Sequence, residues 1–418
     1  MQPTAAAPLR CALLDEFLWD YTFPILDAVP NLELVTFNGA TLGLPDAPNP
    51  FKLPLADSAD AVLMSSYFYR WLKREHPDAI GRVFDRLERV ASIVVGLDAA
   101  DELALYFPPS AMERFTLVLK AMGVYRDRDL YNYEVGVLVP RGRWTEKIQP
   151  RSERYSDEML GKLRLSIPFF LRDAPAIRHA VRRRDTREML SVSRKISPLE
   201  VKGREAVDRL LYRALASTPI SGRRQDVHCI ATLTHVQRLE AVKRLSEFSG
   251  SMGITGIPQN VLGTEYMYQL PADFRAHLEQ ETAPYLHPPV GRIRYQFSLA
   301  RHKIGVAPTG YGELTYRHGE ALRAGAALVC QSLAHVELMF PLDDGRNVVF
   351  CKPDLSDLAE RVRELLADDE RRVRIARTGR EDFVNWQDQW RAHLYRTVEL
   401  PLREALGSHP DSESKISP

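Results

Sequence analysis

Four short runs of almost wholly apolar residues recur in the first hundred positions: Leu9–Asp15, Leu32–Phe37, Ala59–Ser65 and Ala91–Leu97. Between the last two lies Tyr69–Val90, rich in Arg, Glu and Leu at helical spacing. Strands apolar on both faces, separated by amphipathic helices, call for a parallel sheet covered on each side. The pattern therefore predicts a doubly wound α/β unit.

A second series begins with the strand Asp226–Thr232. The segment Arg238–Phe248 follows, with Leu239, Val242, Leu245 and Phe248 on one helical stripe. Then come a helix over Tyr295–His302, a strand over Lys303–Pro308, a helix over Tyr316–Ala324, and strands over Ala326–Cys330 and Val348–Cys351. Leu355–Leu366 is an amphipathic helix. A length of 418 residues is too long for one ordinary core and suits two. The expected fold is thus α/β, with two Rossmann-like doubly wound domains. The first is expected over 1–150 and the second over 226–385. Between them, 151–225 reads as helices and a linker without a convincing strand. It holds the basic run Arg182–Arg184, read as a solvated helix face or a partner surface. Trp386, Trp390, Leu394 and Tyr395 recur at helical spacing, so 386–406 is expected to be a packing helix. The polar segment 407–418 is expected to be disordered.

Charge and cysteine usage narrow the function. The formal net charge is +1, so no global field attracts nucleic acid. The four cysteines form no CxxC pair, which argues against a disulfide framework and a zinc site. No leader-like start and no membrane-spanning run is visible, so a soluble, cytoplasmic protein is expected. A Gly-x-Gly-x-x-Gly turn, a Walker loop and a Gly-x-Ser-x-Gly elbow are all missing. That disfavours a dinucleotide dehydrogenase, a P-loop nucleotidase and a serine hydrolase of the α/β type.

The densest chemistry lies in Lys303–Pro353. A strand runs into the turn Thr309, Gly310, Tyr311, Gly312; then come Glu313, Thr315, Tyr316, Arg317, His318 and Glu320 at a helix start. In open α/β sheets ligands bind beyond the carboxyl ends of the strands. A helix N-terminus there offers free N–H groups and a favourable dipole to phosphate. Arg317 can meet a diphosphate with forked donors, and Glu320 can accept from the hydroxyls of a ribose. Blander readings stand beside these. Arg317 can pair on a helix surface, Glu320 can serve the dipole, and His318 can be structural. Lys303 can balance phosphate or simply edge a strand. Tyr311 can stack on a base or pack.

The stretch RHGEALRAGAALV resembles the Glu-Ala-x-x-x-Gly segment of GT-B glycosyltransferases, with Ala326-Ala327 where many have Gly/Ala-Pro. It is closer to the spore-maturation-type glycosyltransferase-like proteins. The resemblance rests on Arg317-x-x-Glu320, the loop with Glu337 and Phe340, the Asp344–Val348 stretch and Asp357-Leu358, and covers about 226–385. It implies two domains facing across a cleft, with the last helix returning to the first domain. It implies a nucleotide-diphospho-sugar donor held by Glu320 at the ribose and by basic residues near Arg317, with Glu337 beside the donor. It implies no bound metal or other cofactor, and a small-molecule or glycan acceptor. One departure concerns the Glu-x₇-Glu of many retaining enzymes: only six residues separate Glu313 from Glu320, so the stereochemical outcome stays open.

In the first half, Asp15 and Asp98 end strands, where a general base for the acceptor hydroxyl is expected. Asp101 lies close by, and helix capping is the alternative role for such residues. The expected activity is glycosyl transfer from a nucleotide-diphospho-sugar. The alternatives are a nucleotide-sugar epimerase or hydrolase on the same fold, or an inactive GT-B-like binding protein.

Overall fold

In the computed structural model, the described residues are 7–16, 26, 28–29, 31–49, 52–98, 103–135, 147–166, 210–257, 260–263, 266–269, 272–310 and 312–407. Tyr311, Asp101, the Arg182–Arg184 run and the segment 408–418 lie outside them.

The first unit holds β1 (Leu9–Leu14), β2 (Leu32–Phe37), β3 (Leu55–Ala56), β4 (Ala59–Ser65), β5 (Ala91–Asp98) and β6 (Leu117–Lys120). It continues with β7 (Val124–Tyr125), β8 (Tyr133–Val135), β9 (Lys147–Pro150) and β10 (Leu163–Leu165). Seven strands form one parallel sheet in the order β10-β6-β5-β4-β1-β2-β3. β10 corrects the expectation of a strand-free stretch after residue 150. It is three residues long and alternates burial, so it carries no apolar run to read. The first sheet therefore reaches past residue 150. The apolar core of this unit comes from residues such as Leu14, Leu63, Val95 and Leu119, all inaccessible to solvent.

The stretch Tyr69–Val90, read as helical from its spacing, falls in two helices: α1 (Ser66–Glu75) and α2 (Ile80–Val90). His76-Pro77 breaks it, because proline disfavours helical backbone in the residue before it. The Ser65 side chain caps α1 by accepting from the Phe68 N–H at 3.0 Å.

The second unit contains β11 (Gln225–Ala231), then α3 (Val236–Leu245). After it come β12 (Gly250–Ile254) and the hairpin β13 (Asn260–Gly263) and β14 (Tyr266–Gln269). Next are α4 (Arg292–Arg301), β15 (His302–Ala307), α5 (Tyr316–Ala324), β16 (Ala327–Gln331), β17 (Val336–Glu337) and β18 (Val349–Cys351). α6 (Leu358–Ala367) and α7 (Asp369–Asp388) close the unit. Its sheet is parallel throughout, in the order β12-β11-β15-β16-β18. Both units are Rossmann-like, as the two series of apolar runs predict.

α5 stops because Gly325 takes a left-handed conformation, φ 64°, and its N–H closes on Ala321 and Leu322 carbonyls. A side chain there would also strike the Arg380 guanidinium. Beyond α7 the chain is helical to Gly407, interrupted by a π-turn over Tyr395–Glu399. This stretch reaches the first unit: Asn31 Nδ2 donates to Glu399 at 2.9 Å, and Ser166 Oγ donates to the Thr397 carbonyl at 3.1 Å. Trp386, Trp390 and Leu394 are buried, whereas Tyr395 is exposed. No helix among the described residues is long and apolar enough to cross a membrane.

Candidate functional site

The order of the second sheet reverses between β11 and β15, so a crevice opens beyond their carboxyl ends. Arg238, in the first turn of α3, spans that crevice. Its Nη1 donates to the Thr232 carbonyl at 2.8 Å, beyond β11, and its Nε to the Thr309 carbonyl at 2.9 Å, beyond β15. The side chain is buried, and it packs so closely on Gly310 that a Cβ at 310 would meet the guanidinium. Gly310 therefore serves the approach of Arg238.

A neutral network fixes the same edge. Gln331 Oε1 accepts from Thr309 N at 2.9 Å and from its hydroxyl at 3.0 Å. Gln331 Nε2 donates to Gln237 Oε1 at 2.6 Å and to the Pro353 carbonyl at 3.2 Å. The carboxyl ends of β15, β16 and β18 and the start of α3 are thereby one rigid rim.

α5 opens on that rim. Thr315 is its N-cap, and His318 completes a reciprocal capping box, with Nδ1 accepting from Thr315 N at 3.0 Å. Burial lowers the His318 pKa to about 4, which keeps the ring neutral. His318 is expected above either as a ligand contact or as a structural residue. The ring serves the helix start, because that N–H has no partner within the helix.

Arg317 and Glu320 come together as expected, but they meet each other. Arg317 Nη1 donates to Glu320 Oε2 at 2.8 Å, and the guanidinium carbon lies 3.9 Å from the Tyr295 ring centroid. Burial works against the Arg317 charge, yet the fields of Tyr295 and Glu320 outweigh it and hold its pKa above the ordinary value. The pair keeps some contact with solvent, at 27% and 14% side-chain exposure, so an incoming ligand can reach it. Glu313 and Gly312 are buried before α5, and Tyr316 is half-buried on its first turn.

Other candidates lie apart from this rim. Lys303 is a correction. It stands at the amino end of β15 and pairs with Asp226 at 2.8 Å, on the opposite edge of the sheet from the crevice. Glu337 is another. It belongs to β17, which pairs with β7 of the first unit, and its carboxylate binds Arg128 at 3.1 Å. Asp98 is a third: it is fully buried, bound to Lys120 Nζ at 3.2 Å and accepting from Tyr106 N at 3.0 Å. Asp15 is buried too, and its Oδ1 accepts from Ser65 Oγ at 2.7 Å and from Glu16 N at 2.8 Å. Carboxylates engaged inside their own sheet are not placed to collect a proton from an incoming hydroxyl.

Arg238 was not singled out from the sequence. The available signal was a basic residue on the buried side of a helix that directly follows a parallel strand. Read as one letter of an amphipathic stripe, it passes for surface.

The comparisons agree with this geometry in one respect. Residues 238–395, which begin at Arg238 and take in α5 and the carboxyl ends of β15, β16 and β18, match the family model described as glycosyl transferase-like. A search of curated proteins finds no match. Among solved structures, the Anabaena protein HepE in complex with UDP-glucose aligns at 12% identity and a TM-score of 0.44, over 94% of this chain and 100% of that one. An alpha-glucosyltransferase in complex with UDP aligns at 11% identity and 0.48, over 94% and 100%. The C-terminal domain of a glycosyl transferase group 1 protein from Francisella tularensis aligns at 16% identity and 0.27, over 38% and 83%. At these scores the likeness adds nothing to what the two sheets show by themselves. What the comparisons establish is a glycosyl transferase-like segment over residues 238–395 of the chain.

Proposed function

We propose that the protein is a GT-B glycosyltransferase that moves a sugar from a nucleotide-diphospho-sugar to an acceptor presented by the first unit. One observation carries the reading: the glycosyl transferase-like match coincides with the crevice that holds Arg238 and the Arg317–Glu320 pair. The start of α5 and the two guanidinium groups face the charge of the diphosphate. As the glycosidic bond breaks, negative charge builds on the leaving diphosphate, and cations already in place stabilise it most at that point. Glu320 accepts from the ribose hydroxyls once the ligand draws Arg317 away. This chemistry needs no bound metal, because protein cations do the neutralising. The spore-maturation-type family is the narrower form of the proposal, and a uridine nucleotide and hexosyl transfer are its narrower donor. The domain division 1–150, 151–225, 226–385 and 386–406 belongs to the same reading, with the first sheet extended to Leu165. So does a cytoplasmic location, where the free buried thiols of Cys11, Cys229, Cys330 and Cys351 stay reduced.

Calorimetry with UDP, GDP, TDP and their sugars tests the donor site; saturable binding of one of them is expected, and silence across the panel ends the proposal. Turnover of the bound donor must depend on acceptor. Acceptor-independent consumption would point to an epimerase or hydrolase, and nucleotide binding without turnover to an inactive scaffold. Arg317→Ala should lose about 10²–10³ in turnover, the scale for one preorganised donor. A near-normal rate with a large fall in melting temperature would make Arg317 a structural residue.

A further inference from the structure

Beyond β4 and β5, at the carboxyl edge of the first sheet, the surface opens into a cavity of about 550 Å³. That is within the range of roughly 300–1,000 Å³ of small-molecule sites. One wall is α1, which contributes Tyr69, Arg70 and Lys73. The second is the segment around Tyr106, held to the end of β5 by the bond from Tyr106 N to Asp98 Oδ2 at 3.0 Å. The third is Arg151–Tyr155, tied to the second by the Tyr155 hydroxyl, which donates to the Phe107 carbonyl at 2.8 Å. The second and third walls are therefore tied down by hydrogen bonds, one of them buried.

The charges in this cavity are unequal in their freedom. Of the four cations in the lining, Arg74 is spent on Glu16 and Glu75, both at 2.6 Å, and Arg151 is engaged through its Nε, which donates to the Tyr133 carbonyl at 3.4 Å. Arg70 and Lys73 have no ion-pair partner among the described residues. Arg70 is instead set 5.3 Å from the Tyr106 ring centroid, which orients its guanidinium without neutralising it. Positions i and i+3 share one helix face, so both cations address the same space. A phosphate monoester carries about −1.5 to −2 charges near pH 7 and three acceptor oxygens, which matches two cations without an ion-pair partner among the described residues; a carboxylate leaves one unmet. Glu153 is the carboxylate in the lining, and a carboxylate is an acceptor for hydroxyl groups.

We propose that this cavity binds the phosphate monoester of a small hydroxylated compound, with Arg70 and Lys73 on the phosphate and Glu153 toward the hydroxyls. Resting on the transfer reading above, that compound is the acceptor, a sugar or polyol phosphate. The test is calorimetry of the full chain with glucose 6-phosphate and glycerol 3-phosphate, with glucose and glucuronate as counterparts and UDP titrated separately. Saturable binding of a phosphate ester is expected, with no binding of glucose and at least tenfold weaker binding of glucuronate. The double variant R70A/K73A should weaken the ester by about tenfold or more, the scale of charged hydrogen bonds, while UDP affinity stays unchanged. Both residues are exposed, so the variant should melt as the wild type does. Absence of saturable binding by either ester, or a double variant that binds as tightly as wild type, overturns the proposal. Ester binding in a protein that ignores every nucleotide would uphold this cavity and sink the transfer reading alone.

Discussion

Each sheet reverses its strand order once, between β1 and β4 in the first unit and between β11 and β15 in the second. The two reversals are finished differently. In the first, Ser65 Oγ donates straight across to Asp15 Oδ1, and the buried Asp98–Lys120 pair staples the next strands together. In the second, a guanidinium crosses the gap and donates to the Thr309 and Thr232 backbone carbonyls. One topology thus gives an edge closed by acids and an edge that keeps a cation. Of the two reversals themselves, only the second is bridged by a guanidinium that an anionic ligand can meet.

The sharpest way to break this comparison is to pull the staple. Lys120 and Asp98 are both inaccessible to solvent. Removing one partner leaves an uncompensated buried charge, so Lys120→Met should cost about 3–5 kcal/mol in urea unfolding. The double variant D98N/K120M should recover most of it. A single variant as stable as wild type would show that the pair does not hold the first sheet.

The expectation that Asp98 works as a base shows where sequence fails. A carboxylate after an apolar strand is visible as letters, but its partner Lys120 is 22 positions away and becomes a neighbour only through the Asp98↔Lys120 register. The periodic elements themselves were legible, the strand Ala59–Ser65 and the helix Tyr316–Ala324 to the residue, because period and burial are local properties. β10 was not, since three alternating residues carry no period. Arg317 and Glu320 were legible as neighbours by their i,i+3 spacing. Their mutual pairing and the ring of Tyr295 beneath them were not, because Tyr295 arrives from another helix. Lys303 was misplaced for a directional reason: a parallel strand puts its first residues at the edge away from the crevice.

A smaller effect separates the units by pH. Burial depresses His318 and His335 to about 4 and His228 to about 2, and all three belong to the second unit. For His318, the unfolded chain binds a proton near pH 6.5 while the folded ring does not. Stability is therefore intact above pH 6.5 and falls as pH drops toward 4, below which both states are protonated. A depression from 6.5 to about 4 is worth about 3 kcal/mol. Gln at 318 keeps an acceptor for the Thr315 N–H but cannot titrate. Between pH 7 and pH 4.5, His318→Gln should lose about 2–3 kcal/mol less stability than wild type, read from urea midpoints at each pH. Parallel pH profiles would mean that the folded ring is not held neutral.

The smallest expected effect settles which side of the comparison Glu337 serves. Sequence resemblance puts it beside the donor; the structure puts it at the seam between the units. There Val336 pairs with Tyr125 and Glu337 with Val124, and the Arg126 N–H donates to the His335 carbonyl at 2.9 Å. These backbone bonds do not depend on the Glu337 side chain. The carboxylate adds only its pair with Arg128, and the two side chains are 47% and 32% exposed, so water screens them. Such a pair contributes about 0.2–1 kcal/mol. Glu337→Ala should therefore shift the urea midpoint slightly and leave nucleotide affinity alone, because the side chain points its charge at the first unit rather than at the Arg238 crevice. A tenfold loss of nucleotide affinity in that variant, with stability unchanged, would mean that Arg128 gives Glu337 up to the donor on binding. The seam would then be part of the donor site, and the division between a stapled edge and a cation-bearing edge would no longer hold.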